Sequence, residues 1–341
     1  MTITFEKQQS STHLSASMAM SNKEVYLDFC QSGVVLPLYM QPWWLDAVCH
    51  KGIWDVCLSF DNAGSINGCL VYYLVKLRGV IPAIVNPDLT PHTGIWMVAN
   101  KDFGKTKLHN QYAYTKKVVS ALVEQLPEVG LYHQKLHHSL NDWQPFFWKG
   151  YKGSTHYTYL LENIGDLNTI YDHFKGSVRT DIRKAEKSIR IEASEDITGF
   201  YRLCELSFGR QGLKPNFSKE AVLRLDKVLM ERGLRDMYVA KDLDGAVHAA
   251  IYIVYSEDTA HYLIGGSDPD LRSSSSVTYL LWHAIQYASR RAAFFDFEGS
   301  MLPAVEYSFR NFGAVQKPFF RITKAKNVFY EALTLFFKDY K

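Results

Sequence analysis

The chain has 341 residues and a net charge of +3, and nearly half of its residues are apolar. This length predicts about two domains, and the apolar content excludes an intrinsically disordered protein. So small a net charge gives no general indication of nucleic-acid binding. The five cysteines are scattered without a CxxC pair, which disfavours a disulfide framework and a structural zinc site, and no metal is expected.

The first residues are polar and contain no apolar run of the kind found in a signal peptide. No later stretch is apolar for long enough to cross a bilayer, so stable membrane insertion is not expected. We therefore predict a cytoplasmic protein whose residues 1–22 form a loose tail. The oligomeric state is left open by the sequence.

Two halves of similar layout follow the tail, and we predict a domain over residues 23–165 and another over 166–324. Whether residues 325–341 complete the first domain is left open. The first half is predicted to contain a mixed sheet and one long helix. Its predicted elements are a helix from Pro42, strands at 54–60 and 68–76, an irregular edge at 78–97 with a strand near 94–98, a helix at 106–126, and strands at 131–137 and 157–161.

Three histidines near the end of the first half, His133, His137 and His138, could be imagined as metal ligands. Alternation along a strand places His133 and His137 on the same face. No carboxylate or cysteine accompanies them closely in the sequence. Histidines that line a surface or a groove are therefore the favoured interpretation.

The second half begins with an amphipathic segment, residues 166–188, which predicts one helix. Arg179 and Arg183 are four residues apart, so both project from one face, where they can bind a phosphate or a carboxylate. Arg210 and Gln211 lie in a glycine-bounded loop after the next predicted helix. The alternatives are a solvated basic face and a plain connecting loop.

An antiparallel meander is predicted over residues 237–265, because an Asp-Gly turn separates stretches rich in β-branched and aromatic residues. A helix then begins near Ser276, and an apolar strand follows at 292–297. A short helix opened by Pro303 and closed by Gly313 precedes the last predicted strand. This order of elements predicts an α+β fold with a mixed sheet.

These elements, in this order, resemble the acyl-CoA N-acyltransferase (GNAT) fold, and more specifically its FemABX-like branch, whose members have two such domains in tandem. The matching segments are FKGSVRTDIRKAEKSI (174–189), YLIGGSDPD (262–270), LLWHAIQ (280–286), FDFEGS (295–300), FRNFG (309–313) and WWL (43–45). The resemblance implies tandem GNAT-like domains and an acyltransferase that forms an amide bond. The donor would be acyl-CoA or aminoacyl-tRNA, without a tightly bound cofactor, and the acceptor would be an amine such as a cell-wall or lipid precursor.

The sequence departs from the coenzyme A pattern of the superfamily in the loop before the helix at Ser276. Where acetyl-CoA-dependent members have glycines, this chain has Arg272 followed by Ser273, Ser274, Ser275 and Ser276. Serine hydroxyls and helix N-terminal amides could hold a phosphate, with Arg272 adding charge. Without glycine the backbone approaches a pyrophosphate less closely, which favours a FemABX-like transfer. A serine-rich helix cap without a ligand is the alternative.

Four residues are candidates for catalysis. Arg310 stands where the family has a lysine, and it would bind a donor phosphate or stabilise developing negative charge. Asp296 and Glu298 are predicted on one side of their strand at its carboxyl end, where either could accept a proton or orient the amine. His261 and Tyr262 face opposite sides of their strand, so only one of them can be catalytic.

The candidate substrate-binding residues are Arg179, Arg183, Arg210, Gln211, Tyr262 and Tyr279. Two of the catalytic candidates also have a purely structural explanation. Arg310 would then be a surface arginine, and Asp296 would cap the following turn. Two other functions stay open on the sequence. One is a non-catalytic protein that binds a phosphate or nucleotide ligand, and the other is a nucleic-acid binder that uses the basic segment 175–190.

Overall fold

The structure is a computed structural model, and it describes residues 20–98, 106–210 and 212–336. The strands are β1 (Gly52–Phe60), β2 (Ile66–Leu77), β3 (Ile81–Val85), β4 (Ile95–Met97), β5 (Leu131–Lys135), β6 (Lys152–Glu162), β7 (Arg190–Ala193), β8 (Arg235–Lys241), β9 (Val247–Tyr255), β10 (Thr259–Ser267), β11 (Phe294–Asp296) and β12 (Val315–Ala325). The helices are α1 (Asn22–Gln31), α2 (Pro42–Val48), α3 (Leu108–Glu124), α4 (Gln144–Trp148), α5 (Leu167–His173), α6 (Gly176–Ala185), α7 (Ile197–Gly209), α8 (Lys219–Glu231), α9 (Ser276–Ala288), α10 (Pro303–Arg310) and α11 (Val328–Phe336). Short 3-10 turns occur at Leu38–Met40 and Pro269–Ser274.

The strands form one mixed sheet in the order β1-β2-β3-β5-β12-β6-β11-β10-β9-β8-β7, and β4 pairs with β2. The pairs β3–β5 and β10–β11 are parallel, whereas the other neighbours are antiparallel. β12 lies between β5 and β6 and so joins the two halves. The predicted α+β fold with a mixed sheet is confirmed, and the sheet runs continuously through both halves.

Helices cover both faces of the sheet, and each face is identified by the apolar core that it carries. On the face that we call the front, α1, α2, α7 and α8 pack over the outer strands. On the back face, α3 and α4 cover the first half, and α5, α6, α9 and α10 cover the second. The central strands β5, β12, β6 and β11 turn mostly polar side chains toward the front, and this is where the candidate site lies.

The segment 166–188 is not the single helix that its periodicity predicts. It forms α5 and α6, separated at Phe174, whose backbone is extended with a ψ of 139°. Phe174 is buried against the rings of Trp282 and Phe312. The next N–H, that of Lys175, donates to the carbonyl of Asn311 at 2.9 Å. Tertiary packing of one aromatic ring therefore overrides the local helix preference.

The prediction of an irregular edge over residues 78–97 is wrong in its first part. Residues Ile81–Val85 form β3, which lies inside the sheet between β2 and β5. Pro82 is tolerated there because proline differs from other strand residues in lacking one backbone donor, the N–H. Its carbonyl still accepts a hydrogen bond from the N–H of Gly130 at 2.9 Å. The later part of the segment contains β4, close to its predicted position. Four helices and strands, α1, α4, β7 and α11, were not predicted.

The meander β8–β10 is confirmed, and the Asp242 carboxylate accepts hydrogen bonds from the N–H groups of Asp244 and Ala246 in its first turn. The predicted helix begins at Ser276. β11 is parallel to β10, as a strand–helix–strand crossover requires. These local predictions succeed because turn chemistry and periodicity agree along the whole segment.

Of the predicted tail, residues 1–19 lie outside the described residues. α1 begins at Asn22, and Ser21 caps it with a side chain that accepts the N–H of Glu24. After β12, the N–H of Lys326 donates to the carbonyl of Gly130, so this segment contacts the first half. Within the described ranges, no helix combines the length and the apolar character that crossing a membrane requires.

Candidate active site

Two ionisable side chains meet on the front face where β10 and β11 lie side by side. His261 of β10 is in register with Asp296 of β11, and both residues are buried. Residues in register on adjacent strands point to the same face, so the two side chains lie together. Asp296 also accepts a hydrogen bond from the hydroxyl of Thr158 on β6. The sheet register itself thus places two ionisable groups in the core.

Glu298 joins this pair through a strained turn after β11. Its φ of 58° lies in the left-handed region, where a non-glycine residue costs about 1–3 kcal/mol. Its N–H donates to Oδ1 of Asp296 at 2.8 Å. Gly299 follows with a φ of +65°, and a Cβ there would come within 2.0 Å of the carbonyl oxygen of Tyr157. The turn, and not simple strand alternation, therefore directs the Glu298 carboxylate to the front face.

The carboxylate of Glu298 is enclosed, with 6% of the side chain exposed. Its Oε1 accepts the hydroxyl of Tyr39 at 2.6 Å and lies 2.7 Å from Nδ1 of His261. Its Oε2 lies 3.6 Å from Nε2 of His92. We call Tyr39, His92, His261, Asp296 and Glu298 the Glu298 cluster. Tyr39 and His92 belong to the first half of the chain, so both halves build it.

Burial and mutual contact shift the pKa values in the Glu298 cluster. Desolvation raises the pKa of Asp296 to about 7, and the neighbouring charge of Glu298 adds to the effect. For His261, desolvation opposes protonation, but the hydrogen bond and charge of Glu298 outweigh it and raise the pKa. The pKa of Asp296 therefore lies close to neutral pH, as an acid–base site requires.

A chain of imidazoles leads from His92 of the Glu298 cluster to a partly exposed residue. Desolvation and, after it, neighbouring histidines lower the pKa of His92 well below its ordinary value and that of His137 to about 3. The ring of His92 lies 4.6 Å from that of His137, which lies 4.0 Å from the partly exposed His138. Among the described residues, neither nitrogen of His92 has a hydrogen-bond partner. A buried nitrogen of this kind can accept a polar group of a substrate.

His261, Asp296 and Glu298 also have the donor types that bind a divalent metal, and one donor atom of each lies within 4.8 Å of the others. Their present contacts are with each other and with Tyr39 and Thr158. These hydrogen bonds account for the arrangement of the three side chains. We therefore interpret the site as an acid–base site.

Three of the four catalytic candidates, His261, Asp296 and Glu298, are brought together, but Arg310 is not with them. Its Nε donates to Glu306 at 2.8 Å within α10, and 58% of its side chain is exposed. α10 packs on the back face of the sheet, whereas the Glu298 cluster lies on the front. The position of Arg310 matches its alternative explanation as a surface arginine.

The predicted substrate-binding arginines are dispersed. Arg179 and Arg183 lie on α6 at the back face, where Arg179 donates to the carbonyl of Asp172 and Arg183 to that of Arg179. Arg210 follows the end of α7 on the front face. Gln211 lies outside the described residues.

The two predicted tyrosines lie on the back face as well. Tyr262 is partly buried in the back-face core, with its ring 6.0 Å from that of Phe309. Tyr279 is partly buried on α9 in the same core. His261, and not Tyr262, is therefore the member of this pair that faces the Glu298 cluster.

The serine-rich loop forms a 3-10 turn that ends at Ser275, a non-glycine residue with a φ of 58°. The hydroxyl of Ser275 donates to Asp181 of α6 at 3.2 Å, and Ser276 is buried. Asp181 thus places negative charge near the N-terminal end of α9, where a donor phosphate would be expected. The remaining loop residues are Arg272, which is exposed, Ser273, whose carbonyl accepts the Lys184 ammonium, and Ser274, whose hydroxyl donates to the carbonyl of Leu271.

Residues 172–302 match the sequence profile of the family described as Acetyltransferase (GNAT) domain, which confirms the GNAT resemblance for this segment. Among solved structures, FemX is similar over 89% of this chain and 96% of its own, with a TM-score of 0.58 and 12% sequence identity. A tandem GNAT protein from the clavulanic acid biosynthesis pathway is 10% identical, with 90% of this chain and 95% of that one covered and a TM-score of 0.49. L-PGS from Bacillus licheniformis is 11% identical, with coverage of 86% and 93% and a TM-score of 0.48. No curated protein matches the chain in sequence.

Proposed function

We propose that this chain, whose second half carries a GNAT acetyltransferase domain and whose overall fold is that of FemX, transfers an acyl or aminoacyl group to an amine at the Glu298 cluster. The observation that carries the proposal is the enclosed carboxylate of Glu298, 2.7 Å from His261 and 3.6 Å from His92. Amide formation requires a group that removes a proton from the attacking amine. Glu298 has this role in our proposal, and His261 and Tyr39 position it.

The acceptor amine is an ammonium ion at neutral pH, and it must lose a proton before its nitrogen can attack. In our proposal that proton passes to Glu298, while the unpartnered nitrogen of His92 accepts a second N–H and orients the amine. The nitrogen then forms a bond to the acyl carbon, and the bond from that carbon to the sulfur or oxygen of the donor breaks. The leaving thiol or hydroxyl takes up the second proton of the nitrogen, and the first proton leaves through the neighbouring imidazoles.

The donor in this proposal is acyl-CoA or aminoacyl-tRNA. GNAT enzymes typically use acyl-CoA, which supports the first. The Asp181 carboxylate at the start of α9 supports the second, because it disfavours a pyrophosphate at that helix end. The acceptor is a small molecule or a precursor that carries a primary amine.

The purified full-length protein should be assayed with a set of acyl-CoA thioesters and with charged tRNA, each against a panel of amines. We expect amide formation with one donor class, and we expect Glu298→Gln to lower kcat about 100-fold or more. Glu192→Gln is the matched control, because Glu192 is an exposed carboxylate paired with Lys241 on the outer strands. Full activity in Glu298→Gln, or no product with either donor class, would overturn the proposal.

A further inference from the structure

Four basic side chains lie together on the front face of the central strands, outside the Glu298 cluster. We call His133, Lys135, His156 and Arg321 the basic row. Arg321 of β12 is in register with Lys135 of β5. His133 lies two residues before Lys135, and His156 lies two residues after Ser154, the partner of Arg321 on β6. Because alternate residues share a face, the sheet register collects all four on one surface.

The positive charge of the basic row is not neutralised by the described part of the chain. No described carboxylate lies within 4.0 Å of the charged groups of Lys135 or Arg321, and Arg321 instead donates to the hydroxyl of Ser154 at 3.2 Å. Lys317, on the same face of β12, is by contrast paired with Glu162 at 2.8 Å. Two cations in register without a counter-charge favour the binding of an anion.

The surroundings of the basic row are consistent with repulsion among these cations. Desolvation and, after it, the charge of Arg321 lower the pKa of Lys135. Desolvation and then Arg321 also lower the pKa of His133 to about 4 and that of His156 to about 4. The histidines are therefore neutral at pH 7, so they offer hydrogen bonds, and Lys135 and Arg321 supply the charge.

The basic row is also close to the Glu298 cluster. Thr158, which bonds to Asp296, is two residues from His156 and four from Ser154 along β6. With about 3.3 Å per residue and about 4.8 Å per strand, the backbone of the charged pair lies roughly 15–20 Å from that of Asp296 on the same face. A single extended molecule could contact both.

We propose that the basic row binds an anionic group, a phosphate or a carboxylate, of the same substrate whose amine reaches Glu298. Only the statement that the amine of this substrate reaches Glu298 rests on the proposed function. Lys135 and Arg321 supply two positive charges, and the guanidinium fork of Arg321 matches the two oxygens of either group. The acceptor is accordingly an amine with an acidic group roughly 15–20 Å from the nitrogen.

Binding should be measured by calorimetry on the full-length protein at low ionic strength, with inorganic pyrophosphate and, separately, glutarate as probes. We expect saturable binding of one of them, weakened at least tenfold in Arg321→Gln and in Lys135→Met. Lys324→Gln is the matched control, because Lys324 lies on β12 three residues from Arg321 and is exposed. Arg321→Lys, which keeps the charge, should retain part of the affinity.

Binding of neither probe, or equal binding by wild type, Arg321→Gln and Lys135→Met, would overturn the inference. The preferred probe identifies the anionic group as phosphate or carboxylate. The proposed function is tested separately from the anion site. It predicts that Glu298→Gln binds the probe like wild type but loses turnover. An acceptor with an acidic group that reacts as fast in Arg321→Gln as in wild type would contradict the link between the two sites.

Discussion

The hydroxyl of Tyr39 donates a 2.6 Å hydrogen bond to Oε1 of Glu298, so a side chain near the start of the chain holds a carboxylate of the second half. When a buried carboxylate loses a hydrogen-bond donor, its negative charge is less well compensated. This destabilises the fold more than the loss of a hydrogen bond between two neutral groups. We expect Tyr39→Phe to lower the free energy of unfolding by about 2–3 kcal/mol, measured by urea denaturation.

Tyr26→Phe is the matched control for this prediction. Tyr26 is also buried, and its hydroxyl donates to the neutral carbonyl of Met40 at 2.7 Å. Its loss should cost about 1 kcal/mol. Equal costs for the two variants would mean that the charge on Glu298 is not what makes the Tyr39 bond important.

The raised pKa of His261 depends on Glu298, because desolvation alone would lower it. In Glu298→Gln the carboxylate charge is absent, and we expect the pKa of His261 to fall below 6.5, its ordinary value. NMR titration of the histidine ring protons measures this directly. A pKa of His261 that stays raised in the variant would remove Glu298 as the cause.

Asp296 should make stability depend on pH in a specific window. Its pKa rises from 3.8 to about 7 on folding, so the native state binds the proton more tightly than the unfolded state. The resulting stabilisation is complete below pH 3.8 and is lost as the pH rises toward about 7. We expect Asp296→Asn, which cannot ionise, to lose less stability than wild type between pH 4.5 and 7.5 in urea denaturation.

Asp166→Asn provides a control of opposite sign. Hydrogen bonds from Thr169 lower the pKa of the Asp166 carboxyl, which caps α5. Its stabilisation is therefore present above the ordinary pKa and is lost as the pH falls. If the two variants show the same pH dependence relative to wild type, the burial of Asp296 does not control its titration.

Gly299 is predicted to be essential for the turn that carries Glu298. Its φ is +65°, and a Cβ would lie 2.0 Å from the backbone oxygen of Tyr157. We expect Gly299→Ala to lower the free energy of unfolding by about 3 kcal/mol or more and to lower activity, because both the φ and the contact are unfavourable. Gly150→Ala, with a φ of +78° and nothing within 4 Å, should cost only about 1 kcal/mol. Similar losses in the two variants would contradict the importance of the Tyr157 contact.

Asp181 offers a test of the donor. If acyl-CoA binds at the start of α9, replacing the carboxylate by Asp181→Asn should tighten the binding of coenzyme A several-fold, because repulsion of its phosphates is removed. Calorimetry with coenzyme A measures this, and Asp172→Asn, a carboxylate on α5, serves as the control. An unchanged affinity in Asp181→Asn would place the donor elsewhere.

The pairing of His261 with Asp296 could be anticipated from the sequence, because a helix that connects two adjacent parallel strands fixes their direction and their neighbours. Glu298 was predicted on the correct side, although the strained turn that places it has no signature in the sequence beyond the glycine that follows. Local patterns therefore identified the part of the Glu298 cluster that comes from one continuous segment.

Tyr39 and His92 could not be identified in this way, because each comes from an irregular stretch without periodicity. They are brought in by packing of the first half, where the indole N–H of Trp44 donates to the hydroxyl of Thr90 at 3.0 Å. Arg310 was predicted from the sequence but does not join the Glu298 cluster. Its position matches a family motif, but the apolar side of α10 docks on the back face and carries the arginine away from the site.

β12 follows every other strand along the chain, yet it lies in the middle of the sheet between β5 and β6. During synthesis, residues 315–325 leave the ribosome after both of these neighbours, which until then keep unpaired edges. Contacts of such long sequence separation also slow the search for the native state. The nascent protein is therefore most exposed to aggregation, and most dependent on chaperones, in the interval before its central strand is inserted.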